Sequence, residues 1–325
     1  MTQVTDFESE SRAFHGYLRQ VRIARGEARL EEAQRALDSA LALADAMAFA
    51  PDLQDEAVAT LWEVGRLEEA AQYLEHLAGL TFGSPSRDSR AKTRLAGAYI
   101  RLGRLREATA VLEEVLEEAG QGDGASLLYL GSALRYRGEL DGARPYLKEA
   151  YRLAEKERDG GLAVAALFAQ GELELDAGNH KDAVILFGKA YGLTEFSAGE
   201  SLSVLPLAGL GQAQGAWGYP LKGLEVAGKA LRRAEQQGDK IGLARAFLAV
   251  GITGKEAGSL YRAIREADAA PHLPLTLKAF VALAEVAPGS VNLEEAISAA
   301  KRTGMSLDVR RLETIAGKRG HSDHA

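Results

Sequence analysis

Cysteine is absent from the 325-residue sequence, which excludes disulfides, thiolate metal sites and thiol nucleophiles together. Aromatic residues make up only 6%, so a core has to come from small and aliphatic side chains. Eight prolines leave long stretches free to be helical. No 18 apolar residues run together, so no membrane-spanning helix is expected. Positive charge is in the minority: 39 Lys and Arg against 46 Asp and Glu give a net charge of −7, which argues against direct nucleic-acid binding. The opening stretch MTQVTDFESESRAF is acidic and lacks the apolar centre of a secretory signal, so a soluble cytoplasmic protein is expected.

What the chain does have is Ala, Leu, Glu and Arg, residues that lose little freedom in a helix. One pattern is written most clearly in RAKTRLAGAYIRLGRLREATAVLEEVLEEA and again in ASLLYLGSALRYRGELDGARPYLKEAYRLAE. Aligning Gly103 with Gly138 aligns Leu95 with Leu130, Ala108 with Ala143 and Leu112 with Leu147. The same turn can be anchored at Ala28, Gly65, Gly103, Gly138, Gly178, Gly218, Gly258 and Val291. Five residues beyond each anchor stands a small residue: Ala33, Ala70, Ala108, Ala143, Ala183, Gly223, Ala263 or Ala296. Such a place suits the crossing of two helices, where only a small side chain lets the backbones approach. Apolar residues recur at three- and four-residue steps on either side of each anchor, so each unit reads as two helices joined by a glycine-capped turn. No unit can bury its apolar stripe alone, so neighbours must stack.

These units resemble tetratricopeptide repeats. In the third, Leu95, Ala96, Tyr99, Gly103, Ala108 and Leu112 carry the resemblance; in the fourth, Leu127, Leu130, Gly131, Ala143, Leu147 and Ala150; in the fifth, Leu167, Gly171, Gly178, Ala183, Phe187 and Ala190. Units of about 40 residues resemble the longer-helix arrays of bacterial regulatory proteins. The fold expected is all-α: a right-handed superhelical solenoid of about eight antiparallel helix pairs with a C-terminal capping helix. The expected layout is a flexible N-terminus over 1–9 and a single solenoid over 10–317. Its repeats fall near 10–48, 52–79, 88–119, 124–157, 160–195, 200–237, 240–270 and 273–303, with a cap over 306–317 and a disordered tail over 318–325.

The resemblance implies a concave face lined by the first helix of each pair. Projection onto that face puts Arg90, Arg94 and Arg101 in the third unit, Tyr129, Arg135 and Tyr136 in the fourth, and Arg19 and Arg22 in the first. Arginine forks suit carboxylates and tyrosine adds rigid contact area, so a protein or peptide partner with an acidic segment is expected there. The chain resembles chaperone-binding members at Arg90 and Arg94, but lacks the asparagines of their carboxylate clamp. Peptide-pheromone receptors of related architecture also use groove asparagines, and here only Asn179 and Asn292 occur, which disfavours short-peptide sensing.

Nothing points to catalysis. The glycines of AGLGQAQGAWG (208–218) do not keep dinucleotide-binding spacing and read as close helix packing. The six histidines are scattered, so no metal or other cofactor is expected. Trp62 and Trp217 read as packing residues. The sequence is that of a non-enzymatic interaction scaffold or, alternatively, a regulatory module related to the repeat domains of transcription regulators and acting through a partner protein. Self-association is compatible with both.

Overall fold

Four turns of the chain carry the same hydrogen bonds at the same places. Gly103, Gly138, Gly178 and Gly218 all adopt positive φ, between 76° and 98°, where a side chain would be strained. In the fourth repeat, the Gly138 N–H donates to the Arg135 carbonyl and the Glu139 N–H to the Leu134 carbonyl, both at 2.9 Å. The equivalent second bond recurs from Arg104 to Tyr99, Asn179 to Glu174 and Tyr219 to Gln214 at 2.8–2.9 Å. Each turn satisfies the orphan carbonyls of one helix and starts the next within two residues. These turns are seen in a computed structural model of the chain, which describes residues 2–27, 29–46, 58, 61, 66–79, 85–119, 122–195 and 199–322.

The described residues form sixteen α-helices and two short 3-10 turns, with no strand among them. The chain divides into two compact units, Met1–Leu80 and Thr81–Ala325. In the first, α1 (Thr2–Gly26) packs along α2 (Leu30–Ala46), with α3 (Leu67–Gly79) following. Phe14, Leu18, Val21, Leu37 and Ala40 are buried in its core. Helix α1 begins at Thr2, so the flexible start expected over 1–9 is instead helical. The anchors Ala28 and Gly65, most of the first helix expected in the second repeat, and Trp62 lie outside the described residues.

The second unit is a series of helix pairs: α4 (Pro85–Leu102) with α5 (Leu105–Ala119), α6 (Gly124–Arg137) with α7 (Leu140–Glu157), and α8 (Gly160–Asp176) with α9 (His180–Leu193). It continues with α10 (Val204–Ala216) and α11 (Pro220–Gln237), α12 (Lys240–Gly254) and α13 (Ala257–Ala269), and α14 (Leu273–Val286) and α15 (Leu293–Thr303). Helix α16 (Ser306–Ser322) closes the unit. It covers the predicted cap but runs on to Ser322, so most of the expected tail is helical; lone glycines at 317 and 320 do not stop it.

The small residues five places past the turns do mark the helix crossings. Ala33, Ala70, Ala108, Ala143 and Ala183 are wholly buried. Gly223 sits so close to α10 that a methyl group on it would lie 2.5 Å from the Gly211 carbonyl oxygen. Within the 208–218 stretch Gly211 lets the α11 backbone approach, Gly209 and Gly215 make room for the side chains of Phe187 and Thr253, and Gly218 makes the turn. The seventh repeat departs from the rule. Its turn is made by Lys255, a non-glycine residue at φ 54°, three residues before the expected anchor Gly258. The Leu260 N–H donates to the Glu256 carbonyl, as Ala143 does to Glu139, so Leu260 and not Ala263 occupies the crossing. Gly251 on α12 leaves the room that the bulkier side chain needs, with Leu260 Cγ where its methyl would be.

Asp123 and Asp159 start α6 and α8 by accepting the N–H of Ser126 at 2.7 Å and of Leu162 at 2.9 Å. Asn292 starts α15 in the same way, through the N–H of Glu295. Trp217 is not a packing residue: it is 42% exposed, edge-on to Tyr219 with ring centres 5.2 Å apart.

Candidate partner-binding face

Successive first helices of the second unit pack on one another, α4 on α6, α6 on α8, and so on to α12 on α14. Second helices of neighbouring repeats make no contact of that extent. A stack whose first helices are crowded and whose second helices are spread is curved, with the first helices inside. The inner face is therefore built from α4, α6, α8, α10, α12 and α14.

Arg90, Arg94 and Arg101 stand on one stripe of α4, four and seven residues apart, spanning roughly 16 Å at 1.5 Å per residue. Gly97 completes the stripe, and the Tyr129 ring of α6 lies over it, 3.3 Å from where a methyl group would be. Arg90 is exposed, whereas Arg94, Arg101 and Tyr129 are half-buried. Burial holds the Arg101 guanidinium below its ordinary pKa, with the neighbouring Tyr129 opposing that drift. Burial likewise raises the Tyr129 hydroxyl, opposed by Arg101 and Arg94. The structure thus brings Arg94, Arg101 and Tyr129 together.

Arg135 and Tyr136 lie deeper and are not displayed. They are 3% and 5% exposed, and the Arg135 guanidinium stacks 4.2 Å from the Tyr136 ring centre. Arg135 is part of an alternating chain of charges drawn from four helices. Arg245 donates to Glu172 at 2.6 Å, and Arg135 approaches Glu172 at 3.5 Å. Arg135 also meets Asp176 at 2.5 Å, and Asp176 accepts from Lys278 at 2.7 Å. Arg245 further donates to the Tyr136 hydroxyl at 3.2 Å. Burial alone would raise Asp176, but Lys278 and then Arg135 outweigh it and hold the carboxyl at about 2. Burial would raise Glu172 too, yet Arg245 and then Arg135 hold it below its ordinary range.

A cavity of about 150 Å³ opens beside this chain, lined by Glu172, Asp176, Arg245, Lys278, Asp308 and Arg311 among others. Asp308 is 4% exposed, and burial raises its carboxyl despite the nearby Lys278. The half-buried His272 ring lies edge-on to Tyr136, 6.3 Å between centres. Its Nδ1 accepts the Leu275 N–H at 3.3 Å, capping α14. Burial first, then the cations Arg245 and Arg101, push it down to about 3.

The sequence-derived set missed Glu172, Asp176, Arg245, Lys278 and His272. A signal was available for two: Arg245 is the lone charge among the apolar residues of α12 after Lys240, and Lys278 the lone cation of α14. Arg19 and Arg22 are exposed on α1 of the other unit. The two asparagines belong to helix starts, Asn179 at α9 and Asn292 at α15. Among the described residues, no cluster could hold a metal ion, and no helix is long and apolar enough to cross a membrane.

Comparisons place this architecture. Models of the tetratricopeptide repeat match residues 61–128 and 123–195. A solved Rap protein, complexed with competence and sporulation factor, is similar over 98% of this chain and 99% of that chain, at 12% identity and a TM-score of 0.64. The Rap conjugation gene regulator of plasmid pLS20, in complex with the Phr* peptide, is similar over 95% and 96%, at 13% identity and 0.58. The APC/C hetero-tetramer Cut9–Hcn1 is similar over 92% of this chain and 55% of that one, at 15% identity and 0.53. No curated protein matches. At these identities the likeness is one of fold. Residues 61–195 carry the pattern of the tetratricopeptide repeat, and the chain shares the helical fold of these solved arrays.

Proposed function

We propose that the protein is a non-enzymatic interaction module, acting in the cytoplasm, whose second unit takes a protein or peptide partner on its inner face. The observation that carries this reading is the stripe of Arg90, Arg94 and Arg101 with Tyr129 set into it. Three guanidiniums along a rigid helix, one exposed and two half-buried, form a track for an acidic segment. A half-desolvated arginine attracts a carboxylate more strongly than one in bulk water, because the effective dielectric is lower. Tyr129 adds contact area at small entropic cost. Arg135 and Tyr136 are buried in the charge network and do not serve as contacts.

A regulatory role is favoured by the end-to-end likeness of fold to a conjugation gene regulator solved with a peptide. In that reading the module binds its partner and alters what the partner does. The two asparagines sit at helix starts, so recognition rests on arginine and aromatic contacts.

The test is charge reversal. Arg90→Glu with Arg94→Glu is expected to weaken partner binding at least ~thirtyfold and so to deplete the proteins that co-purify from host lysate, since each lost charged contact costs roughly 1–2 kcal/mol. Unchanged recovery with intact helicity contradicts the reading.

A further inference from the structure

The second unit curves until its end meets its beginning. Leu273 and Thr303 lie against the turn at Gly103, and Ser306 and Leu307 against the turn at Gly138. The Arg101 guanidinium donates to the Ala270 carbonyl at 3.0 Å, and the Ser306 hydroxyl to the Arg137 carbonyl at 2.5 Å, each across 169 residues. Lys278 reaches Asp176 across 102 residues.

The turn glycines show how specific this meeting is. All four share one conformation, but their surroundings differ. A methyl group at Gly103 would lie 2.7 Å from Thr303 Cγ2, and one at Gly138 would lie 2.4 Å from Ser306 Oγ. At Gly178 and Gly218 nothing stands within 4 Å. The first two turns are covered by residues 273–307; the next two are open.

The seam also differs in kind from the rest of the unit. Neighbouring helices are joined by buried Ala and Leu, and parting them exposes apolar surface. Across the interior, the two ends are joined by the Arg135–Asp176–Lys278 charges, two side-chain bonds to backbone carbonyls and the few apolar contacts of Leu273, Thr303 and Leu307 at the turns. Charges regain hydration when water enters, which offsets much of the lost attraction. The seam therefore opens with a smaller loss than the apolar contacts between neighbouring helices.

We propose that residues 273–322 are a clasp that closes the solenoid on itself, and that its opening controls access to the inner face. The proposal rests on that face being the partner surface, but its test needs no partner. Gly138→Asn keeps the left-handed turn, which Asn tolerates, while its side chain strikes Ser306 and Leu307. Gly178→Asn is the control: the same turn with open space. Because the chain has no cysteine, Gln212→Cys on α10 puts a single thiol beside the inner cavity. A polyethylene-glycol maleimide is expected to label that thiol roughly tenfold faster with Gly138→Asn than with Gly178→Asn, as local opening becomes more frequent. Equal rates with helicity retained overturn the clasp.

Should Gly138→Asn cost helicity, spin labels at Glu139→Cys and Arg302→Cys, with native turns, decide. The clasp predicts a second, longer distance at denaturant below the loss of helix signal; a single distance until the helices unfold overturns it. Rapid labelling together with unaffected capture by Arg90→Glu/Arg94→Glu would instead sink the partner reading alone.

Discussion

Lowering the pH from 7 to 5 is expected to remove roughly 2 kcal/mol of stability from the second unit through His272 alone, provided its pKa moves from 6.5 unfolded to about 3 folded. The ring is half-buried in the field of Arg245, Arg101 and Arg135 and is neutral in the fold. A depressed folded pKa means that the unfolded chain binds the proton first. Stability is therefore full above about 6.5 and is lost progressively as pH falls toward 3. Asp176, held at about 2, adds a loss of the same sign at lower pH, below its unfolded value of 3.8. Asp308, raised by burial, works the other way: its contribution is present at low pH and fades as pH rises through its folded pKa. His272→Asn isolates the histidine, because Asn also caps a helix start and does not titrate in this range. Urea unfolding should show a much flatter dependence between pH 7 and 5 for His272→Asn than for the native chain. Parallel slopes would remove His272 from the account.

Asp176→Ala is expected to cost about 3–5 kcal/mol, because it leaves both Arg135 and Lys278 buried without their shared carboxylate. Lys278→Met should cost far less, since Asp176 keeps Arg135 and Met fills similar space. The asymmetry separates a charge network from simple packing. A chain of buried charges is weak evidence for net stability, and apolar replacements of the whole set can be neutral. What the network supplies is position: it ties α6, α8, α12 and α14 together through Arg135, Glu172, Asp176, Arg245 and Lys278. Calorimetric or urea unfolding of both variants checks the prediction, and a loss under about 1 kcal/mol for Asp176→Ala contradicts it.

Most of the architecture is legible in the sequence because a short-range rule writes it. Glycine at positive φ and a small residue five places on are local requirements, and they recur at Gly103, Gly138, Gly178 and Gly218. The seventh repeat escaped by three residues because Lys255 adopts the left-handed conformation without being glycine, and Leu260 is admitted by Gly251 on the facing helix. The division after Leu80 had no local sign: GSPSRD (83–88) reads as another turn, and α4 begins inside it at Pro85. The stripe of Arg90, Arg94 and Arg101 follows from helical periodicity alone. The partners of Arg135 do not. They lie 37 and 41 residues away at Glu172 and Asp176, and Lys278 joins them only because the array curves back.

If the inner face is the partner surface, a crosslinker set there must capture the partner. Photoreactive benzoylphenylalanine can replace Tyr129 inside or, separately, Tyr219, which is 53% exposed at a turn. Irradiation in host lysate is predicted to yield a defined adduct from position 129 and none of comparable yield from 219. An adduct formed from 219 alone would place the interaction elsewhere and contradict the account.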